Sequence, residues 1–216
     1  MVQNKTVTRR GRPRAYDPHQ ALSNAMNAFW RAGYSGTSLD DLTESTGMNR
    51  PSLYGAFGDK RALYLATIDR YIELSTVVFG KALNNATLEE SLRSVYENAL
   101  SYYLPPDAPQ RGCFIINTAS VESVMDEEVR TRLREGLRSF DRGLENRIRR
   151  AKAEGELAES ADPAALALVA SSILHSIAVR SRAGDSRATL NAIVDAGMSL
   201  ICGSPSKTAR RTRKAR

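Results

Sequence analysis

The chain has 216 residues, 42% of them hydrophobic and 25% charged, with a formal net charge of +7. This size suits one globular domain of ordinary dimensions plus a small second one. No run approaches the roughly 18 apolar residues of a membrane span, and the basic N-terminus lacks the apolar stretch of a signal peptide, so a cytoplasmic protein with no membrane partner is expected. Cys113 and Cys202 stand far apart without metal-like spacing, which predicts two reduced thiols and neither a disulfide nor a metal site.

The basic charge is concentrated at the ends. Residues 1–16 carry Lys5, Arg9, Arg10, Arg12 and Arg14, residues 207–216 carry six more basic groups, and neither stretch holds an acid. The remainder has 20 basic against 24 acidic residues, so the folded body is near −4. The two tails, residues 1–16 and 205–216, read as solvated extensions, and the N-terminal one, with Arg14, is also placed to lie on nucleic-acid phosphate.

Apolar residues recur with helical period throughout and strand-like alternation is nearly absent, so the fold class is all-α, with about nine helices. A first helix over residues 18–32 puts Ala21, Leu22, Ala25, Ala28 and Phe29 on one face and stops at Gly33. Ser38 then caps a second, with Asp41 three residues on and Leu39 and Leu42 turned inward. Gly47 ends that helix. In "GMNRPSLYGAF", Asn49 is the N-cap of a third helix and Pro51 falls in its first turn, where the missing N–H is no loss. Leu53 and Phe57 face the core, and Arg50, Ser52, Tyr54 and Gly55 face out.

Two short helices around a glycine turn on a three-helix unit make a helix-turn-helix, whose second helix needs only enough length to place a few side chains in a major groove about 12 Å wide. An ordinary helical corner of a bundle has the same periodicity. The stretch "AFWRAGYSGTSLDDLTESTGMNRPSLYGAFGDKRALY" goes further: it resembles the DNA-binding domain of the tetracycline-repressor (TetR) family in its aromatic, Gly–Tyr, Thr–Ser, Gly–hydrophobic and Leu–Tyr–x–x–Phe–x–x–Lys positions. "RGCFIINTASVES", "DEEVRTRL" and "SIAVRSRAGDSRATL" resemble the ligand-binding half of one large subgroup of that family.

The resemblance implies a helix-turn-helix domain over residues 17–62 and a ligand-binding and dimerisation domain over 63–204. It implies that Thr37, Ser38, Tyr54 and Lys60 grip phosphates and that Arg50, Pro51 and Ser52, beside Asn49, sit at base edges. Family members often have glycine or another small residue where Pro51 stands, which makes readout there the least transferable feature. The residues suit those roles: helix N-termini and Lys60 attract phosphate, and Tyr54 donates a hydrogen bond without charge.

A long helix from Lys60 to about Leu83 carries the stripe Tyr64, Ile68, Tyr71, Ile72, Ser75 and Phe79 and joins the reading unit to the C-terminal two thirds of the chain. Thr87 and Glu90 form a capping box, "LPPDAP" breaks the chain, and a new helix begins near Gly112. A stripe from Val129 to Ala151 comes next. Asp162 caps a helix through Arg182, with Leu166, Val169, Ile173 and Ile177 on one face, and Ser186 caps the last, with Leu190, Ile193, Val194, Gly197 and Ile201 on one face. This hairpin either completes its own core or pairs with a copy as a four-helix bundle, and the family resemblance favours a homodimer on a palindromic double-stranded DNA operator.

Tyr71, Phe79, Tyr103, Phe114, Asn117 and His175 are candidate linings of a cavity for a small-molecule effector. Cys113, at a helix start, reads as buried packing or as a reactive thiol. His19 and His175 sit in no nucleophile or metal motif and there is no phosphate loop, so an enzyme and a need for a cofactor are disfavoured. A DNA-coating protein acting through its basic tails is the other alternative, recognisable by steep salt dependence and little sequence preference.

Overall fold

The computed structural model describes residues 17–106 and 109–203, and the two basic tails with Arg14 lie outside them. Among the described residues there are nine α-helices and no strand: α1 (Pro18–Gly36), α2 (Leu39–Thr46), α3 (Arg50–Phe57), α4 (Lys60–Ala82), α5 (Leu88–Tyr103), α6 (Ser120–Glu122), α7 (Glu127–Ala153), α8 (Pro163–Arg182) and α9 (Arg187–Cys202). A π-helical segment, Ile115–Ala119, runs directly into α6.

The caps at Ser38, Asn49, Thr87, Asp162 and Ser186 are those expected from the sequence, and Asp17 and Asp59 add two more. Asp17, Asn49, Asp59 and Asp162 each accept from backbone N–H groups in the first turn of their helices, and Pro18, Pro51 and Pro163 sit where no donor is lost. Ser38 with Asp41 and Thr87 with Glu90 make full reciprocal capping boxes. Gly33 has φ 75° and ψ 174°, so the helical axis breaks there and residues 34–36 form one further turn after the kink.

Two apolar clusters divide the chain. The first joins α1–α4 through Ala25, Phe29, Trp30, Leu42, Met48, Leu53, Leu63, Tyr64 and Ile68. It does not close on its own: Phe114, Ile115 and Ala119 of the π-helical region and Val129 of α7 belong to it. The second lies among α5, α7, α8 and α9 and includes Leu92, Tyr96, Leu100, Leu144, Ile148, Ile173, Ile177, Leu190 and Val194. α4 packs on both α1 and α7, so the long helix spans the two clusters.

The hairpin α8/α9 corrects two expectations. By length and mean hydropathy of 1.5, α8 is apolar enough to cross a membrane, contrary to the reading that no stretch reaches this length. Its apolar side is used in the core. The second correction concerns the faces chosen for dimerisation. Ile173, Ile177, Leu190, Val194, Gly197 and Ile201 are buried within the subunit, where α8 packs on α5, α7 and α9. Leu166 and Ile193 are half-buried, and only Val169 of that set is solvent-facing. The outward apolar groups are Leu168, Val169 and Val179 on α8 and Leu200 on α9.

Gly112 packs closely against backbone. Its φ is +60°, and an added Cβ would lie 2.3 Å from the carbonyl oxygen of Ala178 on α8. Gly112→Ala is expected to lose about 2 to 4 kcal/mol of stability, from left-handed backbone strain and a clash with backbone. Gly80, within α4, has open space around its Cβ position. Gly80→Ala is expected to gain about 0.5 to 1 kcal/mol. Thermal unfolding of the two variants moves in opposite directions, and an unchanged midpoint for Gly112→Ala rejects this account of the packing.

Candidate nucleic-acid interface and effector cavity

α3 is an eight-residue helix with a single buried side chain, Leu53, which is 2% exposed and anchors it to α1 and α2. Around it Asn49, Arg50, Pro51, Ser52, Tyr54, Gly55 and Ala56 are all exposed. An added Cβ at Gly55 meets nothing within 4 Å, so the protein's own packing does not require glycine there. The side-chain oxygen of Asn49 accepts from the Ser52 N–H at 2.9 Å, which leaves its amide N–H₂ pointing outward from the cap. Arg50 is held by Asp40 of α2 at 2.7 Å, both side chains being more than half exposed. Such a pair is weak in water and exchanges readily for a stronger anion.

The residues expected at phosphate divide into two kinds. Ser38 is exposed at the N-terminus of α2, and Lys60 begins α4 with its ammonium 4.4 Å from the centre of the Tyr34 ring. Both lie at helix N-termini, where free N–H groups favour an anion. Thr37 is different: it is 1% exposed, and its hydroxyl donates to the Gly33 carbonyl at 2.6 Å. It closes the backbone after the kink, and its side chain has no free surface for a phosphate. The sequence placed Thr37 correctly beside the helix start but could not reveal that the Gly33 kink consumes its hydroxyl.

Behind the reading unit, two narrow cavities of about 50 and about 30 Å³ share Tyr71, Ser75, Phe79 and Tyr103 as walls. The outer one also touches Trp30, Leu74 and Tyr102, and the inner one touches Cys113, Ile116, Phe140 and His175. Volumes of this order hold a few waters, so a larger occupant must spread α4 from α5 and α7. Tyr71, Phe79, Tyr103 and His175 are therefore where the sequence expected them. Phe114 and Asn117 are not. Phe114 is fully buried between Trp30, Tyr64 and Tyr71, and Asn117 donates to the Arg111 carbonyl at 2.6 Å, tying down the chain before the π-helical turn.

The inner cavity has a polar lining in an apolar setting. The Tyr71 hydroxyl lies 3.3 Å from the Cys113 thiol, and burial raises the pKa of both Tyr71 and Tyr103 well above the usual phenol value. Burial lowers that of His175, against a smaller opposing pull from Asp141. These groups are neutral hydrogen-bonding walls at neutral pH. Among the described residues no cluster of His, Cys, Asp and Glu has the geometry to hold a metal ion.

Several contacts tie the reading unit to the body. Arg61 of α4 pairs with Asp126 at 2.6 Å and Glu128 at 2.7 Å, at the start of α7. The Tyr64 hydroxyl donates to Thr118 in the π-helical segment at 3.0 Å, and Arg182 at the end of α8 donates to the carbonyls of Trp30 and Arg31 at 2.9 and 3.2 Å.

A helix-turn-helix with an outward-facing second helix, mounted on a helical body, defines a helical class of DNA-binding protein. Residues 21–67 match the family "Bacterial regulatory proteins, tetR family", and residues 89–196 match "Tetracyclin repressor-like, C-terminal domain". The HTH-type transcriptional repressor ComR of Escherichia coli (strain K12) is 31% identical over 179 residues, 82% of this chain and 85% of ComR. The transcriptional regulator AcuR of Cereibacter sphaeroides is 29% identical over 74% of this chain and 75% of its own length. Among solved structures, a cysteine mutant of the TetR family regulator CifR, complexed with 26-base-pair double-strand operator DNA, superimposes with a TM-score of 0.79 at 30% identity, covering 87% of this chain and 98% of that one. The chain belongs to the TetR family of transcriptional regulators.

The Arg61 bridge yields a pH prediction. Hydrogen bonds from Arg61, then from backbone at the α7 cap, lower the Asp126 pKa from 3.8 to about 2. A carboxyl whose folded value lies below its unfolded one stabilises fully above the unfolded value and loses that contribution as pH falls from 3.8 toward 2. Asp126→Asn keeps a good cap and removes the charge pair. Its deficit in denaturant midpoint relative to the parent is expected at pH 7 and should shrink steadily below pH 4; a constant deficit down to pH 2.5 rejects the assignment.

Proposed function

We propose that the protein is a homodimeric repressor that binds a palindromic operator and is released from it by a small-molecule effector. The observation that carries this reading is the exposed row of α3, anchored by the buried Leu53 and the half-buried Phe57, while the residues behind it pack into a body with a cavity against α4. ComR's description as a repressor and the operator DNA in the CifR complex support it by kinship.

In this reading Arg50, Pro51 and Ser52 sit at base edges, while Ser38, Tyr54, Lys60 and the backbone at the start of α2 hold phosphates. Arg14 and the N-terminal tail add contacts with the backbone. Leu168, Val169, Val179 and Leu200, exposed on the α8/α9 hairpin, pair with the same groups of a second subunit across a twofold axis. The effector is an apolar or aromatic molecule small enough to enter between α4 and α5, satisfied by Tyr71, Tyr103, Ser75 and His175. Its entry moves α4 and hence the spacing of the two reading heads, for which half-sites about 34 to 36 Å apart leave little tolerance. A coupling of about 1 to 3 kcal/mol lowers operator affinity about 5- to 150-fold, and operator DNA weakens the effector equally.

Selection of bound sequences from a random DNA pool tests the specificity. Arg50→Ala and Ser52→Ala are each expected to cost about 1 to 3 kcal/mol on the selected operator and much less on scrambled DNA. Equal losses on both place these residues at phosphate only.

Assembly is tested separately. Leu168→Glu with Leu200→Glu is expected to give a folded monomer by sedimentation velocity and to abolish tight operator binding, because both leucines lie outside the subunit core. A dimer that persists puts the interface elsewhere.

A further inference from the structure

A second recess lies on the opposite side of Trp30 from the effector cavity. It is an open cleft of about 740 Å³ between α1, the segment before the π-helical turn and the end of α8, and it is lined by Arg31, Arg111 and Arg182 together with Asn24, Asn27 and Gln110. Among the described residues no carboxylate lines it, and none of the three arginines makes an ion pair there, although ten other arginines do.

What fixes these guanidinium groups is neutral. Arg111 lies 4.1 Å from the centre of the Trp30 ring, donates from Nε to the Tyr102 carbonyl at 3.1 Å and from Nη1 to the Asn27 side-chain oxygen at 3.2 Å. Arg182 is oriented by the carbonyls of Trp30 and Arg31. Burial lowers the Arg111 pKa. Neutral acceptors orient Arg111 and Arg182, no carboxylate among the described residues lies in the cleft beside them, and each guanidinium retains N–H donors beyond the bonds it makes. On its far side Arg31 acts electrostatically on Asp41, but Asp41 is committed to the Ser38 cap.

We propose that this cleft binds a small polyanion, a di- or tricarboxylate or a phosphorylated metabolite, at a site separate from the apolar cavity. Arg111, half-buried, and Arg182, exposed, are held in place by hydrogen bonds, with the exposed Arg31 beside them, and guanidinium groups recognise planar carboxylate and tetrahedral phosphate oxygens through paired donors. The cleft volume is that of a metabolite site. No residue of α3 or of the first turns of α2 and α4 lines it, which sets it apart from the surface assigned to DNA. The ligand competes with the α1 carbonyls for Arg182 and so loosens the contact between α8 and the reading unit. That last step rests on the repressor reading, and the binding itself is therefore tested without DNA.

The test is calorimetric titration of the full chain with citrate and with pyrophosphate, at ionic strength held constant with sodium chloride. One saturable site per subunit is expected, weakened tenfold or more by Arg31→Gln and by Arg182→Gln. Arg31 donates no side-chain hydrogen bond among the described residues, so its substitution keeps the test valid even where Arg182→Gln unfolds. No saturable binding of either probe overturns the proposal. Binding that is unchanged in Arg31→Gln and Arg182→Gln belongs to the basic tails and overturns it as well. If neither probe binds the parent while Arg31→Gln weakens DNA binding and lowers its salt slope, the cleft holds a DNA phosphate and the proposal fails in favour of that source.

Discussion

Trp30 is the side chain on which the arrangement depends. It ends the regular part of α1, it is 2% exposed, and its indole N–H donates to the carbonyls of both Arg111 and Gly112. Its ring meets Tyr71 edge-on at 5.3 Å and Phe114 at 5.5 Å, and carries Arg111. Its own carbonyl accepts from Arg182. A residue of the reading unit is thus bonded to the segment before the π-helical turn, to α4 and to α8 at once. The reading unit has no closed core of its own, because Phe114, Ile115 and Ala119 complete it. Any displacement of those elements therefore reaches α1 through direct contact, with no need for a longer route.

The charges of the reading unit follow a similar economy. An acidic residue near DNA is costly unless it is occupied, and here Asp41 is bound into the Ser38 cap, Asp59 caps α4 and Asp40 holds Arg50. Each of these three acids either organises a helix N-terminus or restrains the arginine that α3 presents. The restraint is modest because the Asp40–Arg50 pair is exposed. It reduces the freedom that Arg50 loses on binding a base, without the desolvation penalty of a buried pair.

Much of this was legible in the sequence, and the limits of legibility have physical causes. Caps and breakers act within four residues, so Ser38, Asn49, Thr87, Asp162 and Ser186 marked their helices, and Gly33 marked the break in the first one, though not the further turn beyond it. Burial depends on partners far along the chain. α8 is apolar around most of its circumference, and periodicity cannot tell which side meets α5 and α7 and which meets solvent. Ile173 and Ile177 went to the core and Leu168 and Val169 outward for that reason. The cavity shows the same division. Tyr71, Phe79, Tyr103 and His175 stood out as aromatic or polar groups on apolar faces, whereas Trp30 gave no signal as a wall and Cys113 read only as packing or a thiol at a helix start, and both line it through contacts 40 and more residues apart. The π-helical segment was invisible too: Thr118 donates to the Phe114 carbonyl and accepts from Tyr64 only once α4 is in place.

The position of Trp30 also constrains how the two proposed ligand sites would act. One face of the α1–α4 junction borders the apolar cavity, and Trp30 lines the arginine cleft on the other. An apolar occupant pushes Tyr71 and Phe79 and therefore acts on α4. An anion in the cleft draws on Arg182 and Arg111 and therefore acts on the C-terminal end of α1. These helices pack on each other in the reading unit, so both ligands bias the same element, the seating of α1 and α4 on the body. Two ligands that favour the same displaced seating assist each other's binding, and two that favour opposite seatings compete, although they never touch. Among the described residues Trp30 is the lining that both recesses share, so that coupling would run through it, with a sign set by which seating each ligand favours.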